Sequence, residues 1–104
     1  MNSLLEERIT LPQAELEEFC RRNHIRKLAF FGSVLREDFR PGESDIDVLA
    51  WFDREARIGY FKLIEMEAEL SRMLGRKVDL RTPEELSRYF RDEVLENAEV
   101  RFAA

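Results

Sequence analysis

The sequence predicts an α/β domain: a small mixed sheet with helices packed on one face and the second face left for a site. Three observations carry this expectation. Short runs at Lys27–Phe31, Asp45–Phe52 and Lys77–Arg81 are apolar or alternate in the manner of strands. Segments around them, 12–23, about 59–74, and 83 to about 98, repeat apolar residues at helical spacing. The resulting order, helix, strand, loop, strand, helix, strand, helix, interleaves the two types as layered α/β domains do.

Residues 1–11 are weakly patterned and read as an N-terminal arm or a short helix, with 12–104 forming the single domain. Pro12 suits a first helical turn, where its missing N–H costs nothing. Leu16, Phe19 and Cys20 then recur on one side, and Asn23-His24 ends the helix. Lys27–Phe31 is a buried strand broken by Gly32-Ser33. Val34–Phe39 can form one or two helical turns, and Arg40-Pro41-Gly42-Glu43-Ser44 is a turn-rich loop. In the second strand Asp45, Asp47, Leu49 and Trp51 share one face, and Ile46, Val48, Ala50 and Phe52 the other. The helix after Gly59 carries an apolar stripe of Leu63, Met66, Leu70, Met73 and Leu74, and Gly75 is a stop signal. Val78 and Leu80 put Asp79 on the opposite face of the third strand. Thr82-Pro83-Glu84-Glu85 opens the last helix, with Thr82 capping and Pro83 in the first turn. Residues 99–104 are a tail or a final extended segment.

Composition narrows the function. The 104 residues are 44% hydrophobic and 38% charged, enough apolar material for one core. Uncharged apolar runs such as Leu28–Phe31 are far below the roughly 20 residues of a membrane span. Met1–Leu11 lacks the pattern of a cleavable signal, so a cytoplasmic location is expected. Eight Phe, two Tyr and one Trp argue against disorder. A net charge of −5 argues against broad binding to nucleic acid or anionic lipid. The lone Cys20 excludes an internal disulfide, and with the lone His24 it excludes Cys- or His-rich metal sites. Any metal would be held by carboxylates, which favours magnesium, manganese or calcium.

The chemistry sits in Phe31-Gly32-Ser33 and, after eleven intervening residues, Asp45-Ile46-Asp47. Two residues apart on a strand, Asp45 and Asp47 leave the same face roughly 7 Å apart along the backbone. Close carboxylates raise one another's pKa unless a cation intervenes. Asp79 is a third, in a strand where aspartate is depleted. Gly32 lets the backbone turn sharply and approach an anion, and Ser33 adds a hydroxyl donor. A glycine turn beside three carboxylates describes metal-assisted transfer from a nucleoside triphosphate.

The pattern Gly-Ser, then Asp-x-Asp, then a later strand Asp resembles the nucleotidyltransferase superfamily that includes DNA polymerase β. Phe31–Val48 (FGSVLREDFRPGESDIDV) and the KVDL strand at 77–80 resemble more narrowly the minimal nucleotidyltransferases of bacteria and archaea. The resemblance spans roughly 12–102 and implies the nucleotidyltransferase fold. It implies that Asp45, Asp47 and Asp79 ligate Mg²⁺ or Mn²⁺, with Asp79 helping to deprotonate an acceptor hydroxyl. Gly32 and Ser33 would hold the triphosphate of ATP. Val34 stands where many relatives carry a basic residue, which leaves Arg36 or Arg40 as phosphate contacts. The spacing of eleven is one longer than in many minimal members, and the extra residue falls in the Arg40–Ser44 loop. Members of this size are commonly antitoxins paired with a neighbour-encoded HEPN-type RNase toxin, and some transfer AMP to a tyrosine of that toxin.

Blander readings apply to other residues. Cys20, Met66 and Met73 are core, His24 is a cap or packing residue, and Arg21, Arg22 and Arg26 form a solvated face. Trp51 closes an edge or an interface more often than it stacks on a base. An ion pair with Arg81 or Lys77 is the rival role for Asp79. Three functions compete: a protein-modifying nucleotidyltransferase, a non-catalytic antitoxin that occludes its partner, and a small-molecule transferase of aminoglycoside type. The last would need a further domain to shape its pocket. The open sheet face and the tail could serve a homodimer or a hetero-complex.

Overall fold

The computed structural model describes residues 4–40 and 42–104. Pro41 of the expected turn and residues 1–3 of the expected arm lie outside them. The elements are α1 (Leu4–Arg8), α2 (Gln13–Arg22), β1 (Ile25–Phe31), β2 (Ile46–Phe52), α3 (Tyr60–Leu74), β3 (Val78–Arg81), α4 (Arg91–Asn97) and β4 (Glu99–Ala103). Two 3₁₀ turns, Gly32–Leu35 and Pro83–Glu85, follow β1 and β3.

The strands form one sheet in the order β3-β2-β1-β4. β1 is antiparallel to both β2 and β4, and β2 is parallel to β3. A parallel pair needs a crossover, which α3 supplies. The register puts Phe31 opposite Asp47 on one side and Asp79 opposite Asp47 on the other. Asp47 is therefore flanked by the end of β1 and by a second carboxylate.

Alternation along the strands turns Leu28, Phe30, Ile46, Val48, Ala50, Val78 and Leu80 toward the helices. Leu16, Phe19 and Cys20 of α2 and Met66, Leu70 and Leu74 of α3 complete this core. Burial raises the Cys20 thiol to about 12, so it stays protonated and acts as a small apolar residue. Leu5 and Ile9 at the chain start are buried in the same core, so the segment read as an arm or short helix packs as a helix here. Gly75 adopts φ +67° and closes α3 in the left-handed conformation that glycine favours.

The helical pattern expected from 83 to about 98, with a possible break, does break: it is a 3₁₀ turn at Pro83–Glu85, an irregular stretch, and then α4. Thr82 and Glu85 close the first turn, Thr82 donating both N–H and hydroxyl to Glu85 Oε1. Ser87 then restarts the helix, its carbonyl accepting from the N–H groups of Phe90 and Arg91. Arg91 Nη2 donates to the carbonyls of Glu84 (3.1 Å) and Leu86 (2.9 Å), which satisfies backbone that a continuous helix would have used itself. No residue of α4 is fully buried, so no apolar stripe forces the segment into one rod. The tail is resolved as strand: β4 returns along β1, pairing Glu99 with Phe30 and Ala103 with Lys27. That return carries α4 to the end of the sheet where β1 stops.

Candidate active site

Where β1 ends, Gly32 takes φ +78° and turns the chain into the 3₁₀ turn. The turn lies against the Asp47 side chain. A Cβ placed on Gly32 would stand 2.3 Å from Asp47 Oδ2, closer than any real contact. Glycine is thus required twice here, by its backbone angle and by the carboxylate beside it.

Asp47 is half-buried. Its carboxyl pKa is raised, first by burial and then by the charge of Asp79, with a smaller push from Asp45. Arg81 and Arg36 oppose this shift. Asp47 is therefore within electrostatic reach of both other predicted carboxylates, Asp79 through the strand register. At present Asp45 and Asp79 face cations of the chain: Asp45 Oδ2 lies 3.8 Å from Lys77 Nζ, and Asp79 Oδ2 accepts from Arg81 Nη2 at 3.0 Å. The rival ion pair foreseen for Asp79 is thus formed, with Arg81.

A cleft of about 570 Å³ opens over Gly32 and Asp47, within the range of small-molecule sites. Phe31 and Asp47 come from the sheet, Gly32, Leu35 and Arg36 from the turn and its end, and Phe90, Glu93, Val94 and Asn97 from the α4 side. Arg36 reaches this wall while its Nε donates to Asp38 Oδ1 at 3.1 Å. Ser33 lies beside Gly32 in the turn without lining the cleft. Arg40 is exposed, 3.8 Å from Glu43, and does not line the cleft. Trp51 also lies away from it, under Lys27 Nζ at 4.6 Å from the ring centroid. The structure thus brings together Gly32, Arg36, Asp47 and Asp79, with Asp45 beside them, and leaves Arg40 and Trp51 apart.

The α4 wall was not visible in the sequence. Phe90, Glu93, Val94 and Asn97 belong to no motif, and only the β1–β4 pairing carries them over the cleft. Phe31 stood inside the FGS motif but read as a plain strand residue.

The donor set suits a hard divalent cation. It consists of carboxylate oxygens from two adjacent strands and the residue before one of them, and the Asp47 carboxyl holds its proton more tightly because of burial first and then its two acidic neighbours. Among the described residues no three acidic, His or Cys side chains are already gathered into a metal-ligating cluster. Two of the three carboxylates would have to exchange Lys77 and Arg81 for the ion.

Residues 14–101 match the family described as nucleotidyltransferase domain. A Methanocaldococcus jannaschii protein, provisionally named a protein adenylyltransferase, is 39% identical over 77 residues, covering 66% of this chain and 76% of its own. The protein adenylyltransferase MntA of Thermococcus cleftensis is 34% identical over 76 residues, covering 73% of this chain and 74% of its own. In fold, the chain matches a structure of a tri-AMPylated Shewanella oneidensis HEPN toxin in complex with its MNT antitoxin. The TM-score is 0.63 at 18% identity, over 88% of this chain and 70% of the other. The family match over residues 14–101 and the two relatives place the chain plainly: it belongs to the nucleotidyltransferase domain family.

Proposed function

We propose that this protein is a metal-dependent nucleotidyltransferase that moves AMP from ATP to a hydroxyl of another protein, a tyrosine of a HEPN-type toxin, and so acts as its antitoxin. The observation that carries the reading is the placement of Asp47. It lies in register between the end of β1 and Asp79, with the Gly32 backbone against its carboxylate and a cleft above. The adenylyltransferase names of the two curated relatives support the choice of AMP. The HEPN toxin complex of the structural neighbour supports the choice of acceptor.

The roles follow from the chemistry of each group. Asp45, Asp47 and Asp79 would hold Mg²⁺ or Mn²⁺, which when bound supplies charge neutralisation for the phosphates. The backbone at Gly32 admits a phosphate without a side chain in the way, and the Ser33 hydroxyl, outside the cleft lining here, would turn in to donate to it. Arg36, on the cleft wall, adds positive charge. Phe31 and Phe90 give the base apolar surfaces, and aromatic rings suit that task. In the transfer, the acceptor oxygen bonds to the α-phosphorus and the bond from that phosphorus to the β-bridging oxygen breaks. Pyrophosphate leaves, and the hydroxyl proton passes to the Asp79 carboxylate, once Arg81 has given up the two hydrogen bonds it donates to Asp79 in the metal-free chain.

The test is transfer of label. The protein is incubated with ATP labelled at the α-phosphate, Mg²⁺ and the helical protein encoded beside it. Label on a tyrosine of that neighbour, lost with Asp45→Asn or Asp47→Asn, is the expected result. A second reading draws on the ion pairs of Asp45 with Lys77 and Asp79 with Arg81: the site is idle and the chain silences its partner by occlusion. A neighbour that is bound and silenced but never labelled would decide for that reading.

A further inference from the structure

Phe39 lies in the loop between the Gly32–Leu35 turn and β2, and its ring is buried. Two guanidinium groups lie over it. Arg8 of α1 stands 5.2 Å from the ring centroid, and Arg76, just past the end of α3, stands 5.4 Å away. Each also grips backbone. Arg8 Nη1 donates to the carbonyls of Ser33 (3.3 Å) and Val34 (3.0 Å), and to that of Arg36. Arg76 Nη2 donates to the carbonyl of Ser44 at 2.8 Å. One arginine thus holds the turn that carries Gly32 and Ser33. The other holds the residue immediately before Asp45. A single aromatic ring joins them.

Two like charges gathered on one ring repel, and the arrangement persists because the ring face and four carbonyl oxygens compensate. The planar fork of arginine suits this double duty of stacking and donating, and a lysine would not reproduce it. Arg8 also precedes the 14–101 segment that matches the family, so this contact comes from the part of the chain outside the matched domain.

We propose that Arg8, Phe39 and Arg76 form a positioning clamp that fixes the Gly32–Ser33 turn relative to Asp45 and Asp47, so that phosphate-binding and carboxylate halves of the site meet at one spacing. The inference rests on the nucleotidyltransferase reading, and none of the three residues lines the cleft. The loop between turn and strand would otherwise let the halves drift, and a displacement of about 1 Å in such a site costs about 10²-fold in rate.

The test uses the full chain and a non-hydrolysable ATP analogue with Mg²⁺. Arg8→Met is expected to weaken analogue binding about tenfold, the scale of losing a charged hydrogen-bond donor. It is also expected to speed amide exchange at Ser33–Arg36 while leaving Leu28 and Phe30 of β1 unchanged. Arg8→Lys should fall between wild type and Arg8→Met. Arg76→Met should loosen the Ser44–Asp45 side, and the double variant should lose less than the product of the two. If Arg8→Met does not fold, Arg8→Lys and Arg76→Met carry the same comparison. Wild-type affinity in these variants, or exchange accelerated equally in β1 and the turn, overturns the clamp. A wild-type protein that binds no analogue removes the nucleotidyltransferase reading itself. A wild type that binds, with an Arg8→Met variant that binds equally well, removes the clamp alone.

Discussion

Replacing Gly32 by alanine separates a requirement of the backbone from a requirement of the site. At φ +78° an alanine is strained, and its Cβ would fall 2.3 Å from Asp47 Oδ2. Gly75 provides the matched control: its φ is +67°, and a Cβ there meets nothing within 4 Å. Each substitution carries a backbone cost of about 1–2 kcal/mol. A domain of this size loses about 4–8 °C of Tm per kcal/mol, so both variants should melt roughly 5–15 °C lower. Only Gly32→Ala must also push the carboxylate or the turn aside, by about 1 Å to reach ordinary contact, a displacement worth about 10²-fold in rate. The assay is transfer of α-labelled AMP to the neighbour-encoded protein, run at a temperature where both variants are folded. Gly75→Ala should transfer at the wild-type rate and Gly32→Ala about a hundredfold slower. Equal rates in the two variants would refute the claim that the Gly32 backbone and the Asp47 carboxylate form one site.

Asp47→Asn should raise Tm in the presence of a chelator, because burial and the charges of Asp79 and Asp45 disfavour its ionised form. The sign follows from linkage: the folded-state pKa is raised, so the ionised carboxylate weakens the fold at neutral pH. The advantage of asparagine should therefore shrink as pH falls through the folded-state pKa and vanish below the unfolded value, as followed by melting at stepped pH. Millimolar Mg²⁺ or Mn²⁺ should stabilise the wild type, by about 2.7 kcal/mol at a hundred times Kd, and Asp47→Asn should abolish the shift in a thermal melt. Phe90→Ala should raise the KM for ATP about tenfold, as loss of a base-stacking surface does. It should leave Tm nearly unchanged, since Phe90 is 62% exposed.

Much of this architecture is legible in the residues themselves. The stripe Leu63, Met66, Leu70, Met73 and Leu74 marks α3, and Gly75 ends it, because burial and the left-handed cap are both local demands. Asp45 and Asp47 announce themselves by period-two alternation, and the parallel pairing of β2 with β3 sets Asp79 beside Asp47. What the sequence hides is set by long-range pairing. Residues 83–98 carry a helical pattern with a possible break, but where it breaks is not legible, because the Arg91 contacts with Glu84 and Leu86 that divide it have no periodic signature. The α4 wall of the cleft depends on β4 folding back along β1. Arg8 reads as one charge among many in a weakly patterned segment, yet it holds the turn from 25 residues or more away in sequence.

The most direct test of the carboxylate site is diffraction from crystals grown with Mn²⁺ and a non-hydrolysable ATP analogue, with data collected at the manganese edge. Anomalous density is expected between Asp45, Asp47 and Asp79, with Lys77 and Arg81 released from their carboxylates. The analogue phosphates should lie against the Gly32–Ser33 turn and the base beside Phe90. Manganese bound elsewhere, or an analogue seated away from this cleft while Asp79 stays paired with Arg81, would contradict this arrangement.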